Sequence, residues 1–174
     1  LLGNADGTFK ASVSYDGGDY PVRAYAADVN GDGNLDIITA SSTDRKVNIL
    51  LGNGDGTFLA KASYSVAYAM ADLKYGDLDE DGNIDVIFSD TSSDSVHVLR
   101  GNGDGSFLAR KQYHLETTGG SAIQLGDFNG DGILDIAGDA GGKIEVLLGN
   151  GDASFKQGPS YTVASTVGEI AVTD

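Results

Sequence analysis

The sequence predicts an all-β chain: β-propeller blades of four antiparallel strands, three complete blades flanked by partial ones. Two observations carry this reading. An acidic nine-residue loop begins at Asp28, Asp77 and Asp127, at spacings of 49 and then 50 positions. A glycine-rich turn recurs in phase with it, opening at Gly3, Gly52, Gly101 and Gly149. A period near fifty residues marks a propeller or an array of identical supersecondary units. No segment shows a helical period, so the units are built of strands.

Each unit reads as four runs, called A to D. Run A carries apolar residues four and two positions ahead of the acidic loop: Ala24 and Ala26, Leu73 and Tyr75, Ile123 and Leu125. Run B follows the loop at residues 35–39, 84–88 and 134–138. Run C is residues 46–51, 95–100 and 143–148; Val47, Ile49 and Leu51 share one face by the strand period of two. The Asn-Gly and Asp-Gly pairs that follow tolerate positive φ and predict a tight C–D hairpin. Run D goes from a phenylalanine to a tyrosine six residues on: Phe9/Tyr15, Phe58/Tyr64, Phe107/Tyr113 and Phe155/Tyr161. Six is even, so each pair shares a face and is expected to pack against the neighbouring sheet.

The expected boundaries follow. Residues 1–21 end a preceding blade (a C–D turn and strand D), 22–66, 67–115 and 116–163 are whole blades, and 164–174 begin a further one. The last run, ending at Asp174, stops where a fourth acidic loop would start. Sheet faces left open at both ends predict that further blades come from the same chain or an assembly. The chain opens on Leu1, Leu2 and Gly3 without a methionine, as an excerpt would.

The acidic loops carry the chemistry. Each has carboxylate or amide oxygens at positions 1, 3, 5 and 9 and glycine at position 6. Oxygens so crowded repel each other unless a hard cation sits among them, and calcium prefers six to eight oxygen ligands. Magnesium, with its small octahedral shell, suits crowded protein oxygens less well. An EF-hand needs a glutamate at position 12 between flanking helices. Position 12 is Thr39, Phe88 and Gly138, which excludes it and the related dockerin loop. A nine-residue β-roll is excluded by the period. With 26 acidic and 11 basic residues the formal charge is −15, which argues against nucleic acid and anionic membrane partners. Three divalent ions would reduce it to about −9. There is no cysteine, hence no disulfide and no thiolate site. No apolar run has the length of a membrane span.

The alternation of D-x-(D/N)-x-D-G-x-x-D loops with L-G-N-G-D-G-x-F turns resembles the FG-GAP/VCBS repeat family, which includes the integrin α-subunit propeller. The resemblance covers essentially the whole chain. It implies three Ca2+ sites at the A–B loops and rings of about six to eight blades. The side chains implied for the first site are Asp28, Asn30, Asp32 and Asp36. For the second they are Asp77, Asp79, Asp81 and Asp85, and for the third Asp127, Asn129, Asp131 and Asp135. Backbone carbonyls of Asn34, Asn83 and Ile133 would complete the shells. Secretion or display at the cell surface is implied as well.

No G-x-S-x-G elbow, phosphate-cradling loop or H-E-x-x-H helix appears, so no enzyme activity is expected. His97 and His114 align with unlike residues in the other units and are expected at the solvated surface. In an up-and-down blade the repeated loops share one end. Segments 16–23, 65–72 and 114–122, with 41–45, 90–94 and 139–142, share the other. These vary from blade to blade, and variable loops on a rigid scaffold are where recognition resides. Tyr20, Arg23, Arg45 and Tyr68 are candidates there for a protein or glycan ligand. The expected function is calcium-stabilised, non-catalytic adhesion or ligand binding. Two alternatives are a propeller of a polysaccharide-degrading enzyme, which needs a Lys, Arg, Tyr or His cluster at the axis that the sequence does not reveal, and a structural spacer.

Overall fold

Glycine and asparagine punctuation leaves short runs rich in β-branched residues, and such runs pair with their neighbours in sequence. The computed structural model describes residues 1–66, 68–90, 92–115, 122–163 and 170–171. It forms three four-stranded antiparallel meanders. The first consists of β1 (Pro21–Ala27), β2 (Asp36–Ser41), β3 (Lys46–Leu50) and β4 (Ala62–Ser65). The second consists of β5 (Met70–Gly76), β6 (Asp85–Asp90), β7 (Ser95–Leu99) and β8 (Lys111–His114). The third consists of β9 (Ile123–Gly126), β10 (Asp135–Asp139), β11 (Lys143–Gly149) and β12 (Phe155–Thr162). The first strands of the meanders lie beside one another, β1 against β5 and β5 against β9. These are propeller blades with their A strands innermost.

Strand alternation divides the hydrophobic residues between two cores, one on each side of the middle blade. Val86 and Phe88 of β6 join Ile38, Val47, Ile49 and Leu73 in the first. Ile87, between them, joins Val96, Val98, Ile123, Ile136 and Leu147 in the second. Every residue of β6 and β7 is therefore buried, whereas the outer strands β4 and β8 are largely exposed. Burial on both faces gives such central strands no outward side for a polar residue.

The run D expectation needs one correction. In blades 1 and 2 the phenylalanine makes only an isolated bridge, Gly52 to Phe58 and Gly101 to Phe107, and the strand starts later. Only β12 runs unbroken from Phe155. There Gly158 stands where the others have Lys61 and Arg110. A Cβ on it would lie 2.8 Å from the Val146 carbonyl oxygen, so glycine lets the two strands close up. The rings pack against the neighbouring blade, as the shared face led one to expect. Each tyrosine meets the phenylalanine of the next blade edge-on: Tyr15 with Phe58, Tyr64 with Phe107 and Tyr113 with Phe155, at 5.2, 5.1 and 5.3 Å. Tyr64 Oη donates to the Gly105 carbonyl at 3.0 Å, and Tyr113 Oη to that of Ala153 at 3.3 Å.

At the amino end the C–D turn forms, with Gly3 bridging Phe9, but residues 10–20 form no strand. The expected closing strand to Asp174 lies largely outside the described residues.

Because the tyrosines join successive blades, Tyr64→Phe should cost about 1 kcal/mol, one neutral hydrogen bond. Tyr64→Ala should cost about 2–3 kcal/mol by also removing the ring. Urea unfolding of both variants checks this, and equal costs would mean that the ring contributes nothing.

Candidate metal centres

The three acidic loops connect β1 to β2, β5 to β6 and β9 to β10, all at one end of the blades. Their first aspartate organises the turn. Asp28 Oδ1 accepts the amides of Gly31 and Asp32 at 2.8 and 3.2 Å, and Oδ2 accepts that of Gly33 at 2.8 Å. Asp127 does the same for Gly130, Asp131 and Gly132 at 2.7, 3.2 and 2.8 Å. Asp77 accepts Asp81 and Gly82 at 3.1 and 2.9 Å. The position 6 glycine is needed because φ there is +84° in Gly33 and +86° in Gly82 and Gly132. The backbone amides of Asn34, Asn83 and Gly132 hold Asp32, Asp81 and Asp127 respectively below the usual carboxylate range. These groups are anionic at neutral pH.

The ninth residue has a role that the sequence did not reveal. Asp36, Asp85 and Asp135 are fully buried. Asp36 Oδ2 accepts the Val29 amide at 2.9 Å and Oδ1 the Gly52 amide at 2.7 Å. Asp85 holds Leu78 and Gly101 at 3.0 and 2.8 Å, and Asp135 holds Phe128 and Gly149 at 2.9 and 2.8 Å. One carboxylate thus ties the start of the acidic loop to the C–D turn of its own blade. The turn comes so close that a Cβ on Gly52, Gly101 or Gly149 would sit 2.2, 2.3 or 2.4 Å from a loop carbonyl oxygen. Burial pushes the Asp85 carboxyl up to about 6; the amides of Gly101 and Leu78 oppose this, and the charges of Asp79 and Asp81 add to it.

Do these oxygens suit a hard cation? In the second loop, carboxylate oxygens of Asp77, Asp79 and Asp85 lie within 4.8 Å of one another. The Asp79 side chain is 5% exposed, and its Oδ1 has no hydrogen-bond partner. A buried orphan carboxylate oxygen beside two more carboxylates is a site that a divalent ion would satisfy. In the first and third loops Asn30 and Asn129 stand at the place of Asp79. Their amide nitrogens donate to Asp32 and Asp131 at 3.0 and 2.9 Å. The Asn34 and Asn83 side chains lie against Gly54 and Gly103 of the C–D turn, and Ile133 lies against Gly151.

Sequence reasoning missed Arg100, at the end of β7. Its Nη2 pairs with Asp79 Oδ2 and, at 3.4 Å, with Asp81 Oδ2. A signal was present: Arg100 replaces Leu51 and Leu148, in the same unit where Asp79 replaces asparagine.

The other end of the blades gathers the B–C and D–A segments. The Val66 amide bonds the Arg45 carbonyl at 2.8 Å, and the Ser42 amide bonds that of Tyr20 at 3.4 Å. Tyr20 is 82% exposed, with φ of +53°. Arg23 is drawn to the axis, where its Nε meets Asp72 Oδ1 at 2.9 Å. Lys74 Nζ and the Ile123 amide meet Asp72 Oδ2 at 3.1 and 3.2 Å, so one buried carboxylate joins three blades. Tyr25 and Tyr75 pack at 5.4 Å beside Lys74. The axial cluster that the sequence did not reveal therefore exists: Arg23, Tyr25, Lys74 and Tyr75.

His97 is not a surface residue. It is fully buried, because a central strand is covered on both faces. Its Nε2 lies 2.7 Å from Asp90 Oδ2, and its Nδ1 lies 2.8 Å from Arg110 Nη1. Arginine only donates, so Nδ1 accepts and the ring is neutral, with its proton on Nε2 toward Asp90. Burial pushes the His97 pKa down; the Asp90 hydrogen bond opposes this and the Arg110 charge adds to it. Phe88 and Tyr68 stack on the ring at 4.8 and 5.8 Å. His114 is exposed, as expected, with Nδ1 3.0 Å from Ser95 Oγ.

Repeated four-stranded blades with one acidic loop each define a β-propeller of the loop-bearing type. The chain belongs to the FG-GAP-like repeat family, whose model matches residues 28–88 and again 77–138. Among solved structures it is similar to an Agrocybe aegerita lectin described for specific recognition of non-reducing terminal N-acetylglucosamine. The TM-score is 0.58 at 26% identity, over 80% of this chain and 37% of that one. The chain thus spans little more than a third of the lectin's length. A comparison with curated proteins finds no match.

Two outcomes follow. Asp36→Ala strands the Val29 and Gly52 amides, so it should cost about 2–4 kcal/mol even in chelator. Asp32→Ala, which frees only the exposed Asn34 backbone amide and Asn30 side-chain amide, should cost less than about 1 kcal/mol there. Equal losses in metal-free denaturant melts would contradict the separation of roles. His97 titrates below its usual 6.5 in the folded state. The unfolded chain therefore takes up that proton first, and stability is lost as pH falls through about 6.5. Wild type should lose more melting temperature than His97→Asn between about pH 7.5 and 5.5.

Proposed function

We propose that this chain is a calcium-stabilised propeller module that binds an extracellular ligand, glycan or protein, without catalysis. The loop oxygens support calcium, and the buried orphan oxygen of Asp79 is the observation that carries this part. Where the ion binds, Asp28, Asn30, Asp32 and Asp36 would hold it in the first loop. Asp77, Asp79, Asp81 and Asp85 would hold it in the second, and Asp127, Asn129, Asp131 and Asp135 in the third. It would supply charge neutralisation and a cross-link between loop positions. Binding coupled to folding suits a chain without disulfides in a calcium-rich medium outside the cell.

The ligand-binding part rests on the similarity to a lectin over most of this chain and on the exposed loops opposite the metal end. Tyr20 offers an exposed ring that could stack on a sugar face. The axial cluster favours one alternative, a module of a polysaccharide-acting enzyme. Arg23 and Lys74 are, however, both committed to Asp72, which weakens them as substrate or proton-transfer groups.

Chelation should lower the melting temperature by about 5–10 °C, the effect of one site held at roughly a hundred times its Kd. An unchanged melt would remove calcium from the account. On a glycan array that includes terminal N-acetylglucosamine, the calcium-loaded chain should give a signal that Tyr20→Ala reduces without a change in melting. A blank array would leave the spacer reading, and turnover of an arrayed polysaccharide would favour the enzyme.

A further inference from the structure

The second acidic loop differs from the other two at two places, and the two places touch. Asp79 stands where the other loops have Asn30 and Asn129, and Arg100 stands where the other blades have Leu51 and Leu148. An added negative charge and an added positive charge thus occur in one blade and meet through Arg100 Nη2 and Asp79 Oδ2. Counting only positions 1, 3, 5 and 9, the second loop has four carboxylates where the others have three. Arg100 returns the net charge of that set to the value of its neighbours. We propose that Arg100 is a tethered counter-cation, which offsets the extra charge of the second loop when calcium is absent and which calcium must displace to enter it. This rests on the calcium reading above and refines it: the three loops are unequal.

The geometry describes a plug that can leave. A guanidinium bound for good would present its fork to one carboxylate through two parallel hydrogen bonds. Here one nitrogen is shared between Asp79 and Asp81, the second contact being 3.4 Å long. Arg100 Nε and Asp79 Oδ1 are both buried without a partner. The arginine offsets one charge of the loop but does not satisfy its oxygens, and an ion with six to eight oxygen positions would. The Arg100 side chain is 31% exposed, so water reaches part of it. Its counterpart Leu51 is instead packed on the core and against the next blade near Gly105.

Two consequences distinguish Arg100 from an ordinary surface ion pair. Without calcium, the second loop keeps its internal cation while the first and third have none. With calcium, the second loop binds more weakly than its four carboxylates alone would dictate.

The test is calcium titration of the metal-free full chain by calorimetry, wild type against Arg100→Leu and Arg100→Gln, with melting curves in chelator and in saturating calcium. Wild type should fill two sites first and a third at least about tenfold more weakly, the affinity equivalent of one charge-assisted hydrogen bond. Both variants should bring the third site to the affinity of the others or tighter. Both should melt lower than wild type in chelator and at the same temperature in saturating calcium. If wild type and variants titrate alike while binding calcium, the counter-cation role is overturned and the calcium reading stands. If none binds calcium, both fall. If the variants melt lower in calcium as well, Arg100 is an ordinary structural ion pair and the proposal is overturned.

Discussion

A buried carboxylate in each blade governs how the rest is arranged. Asp36, Asp85 and Asp135 lie out of water, and each spends both oxygens on backbone amides of two different loops. An ionised carboxylate without those amides would be costly at such depth. With them it fixes the distance between acidic loop and C–D turn, and the bare glycines at residues 52, 101 and 149 let the two backbones approach. In the second loop the carboxylate oxygens of Asp77, Asp79 and Asp85 then converge on this held scaffold. On the proposal of calcium binding, a cation would complete this arrangement and not create it.

The same loops also reach across to the next blade. Gly105, in the C–D turn of blade 2, donates its amide to the Val29 carbonyl in the acidic loop of blade 1 at 3.2 Å. Tyr64 bonds the Gly105 carbonyl, and its ring meets Phe107. At the axis, Asp72 gathers groups from all three blades. Blade-to-blade order thus depends on directional contacts at the acidic-loop end and the axis, and on two apolar cores between them. The opposite end carries the segments that differ from blade to blade, and there the Tyr20 ring is exposed.

Much of this was legible from the residues. Strand positions followed from alternation in runs such as Lys46–Leu50, and the loops announced themselves because crowded oxygens and a left-handed glycine have few other uses. What stayed hidden required knowing which blade faces which. His97 reads as a polar residue on a strand, and its burial follows only once blades cover both faces of β7. The Phe–Tyr spacing gives the shared face but not which ring meets which. Asp36 resembles a ligand like the others, since nothing local says that two amides wait for it. Arg100 and Asp79 were visible as departures from the repeat, yet only contact made them a pair.

The central claim is that the ninth-position carboxylates hold the loops together before any ion arrives. Native-state hydrogen exchange in chelator reads it residue by residue. The amides of Gly52, Gly101 and Gly149 should exchange as slowly as those in β2, β6 and β10, while those of Gly31, Gly33, Gly130 and Gly132 slow only when calcium is added. Rapid exchange at residues 52, 101 and 149 without calcium, with protection appearing together with the loop glycines, would contradict it and make the ion itself the organiser.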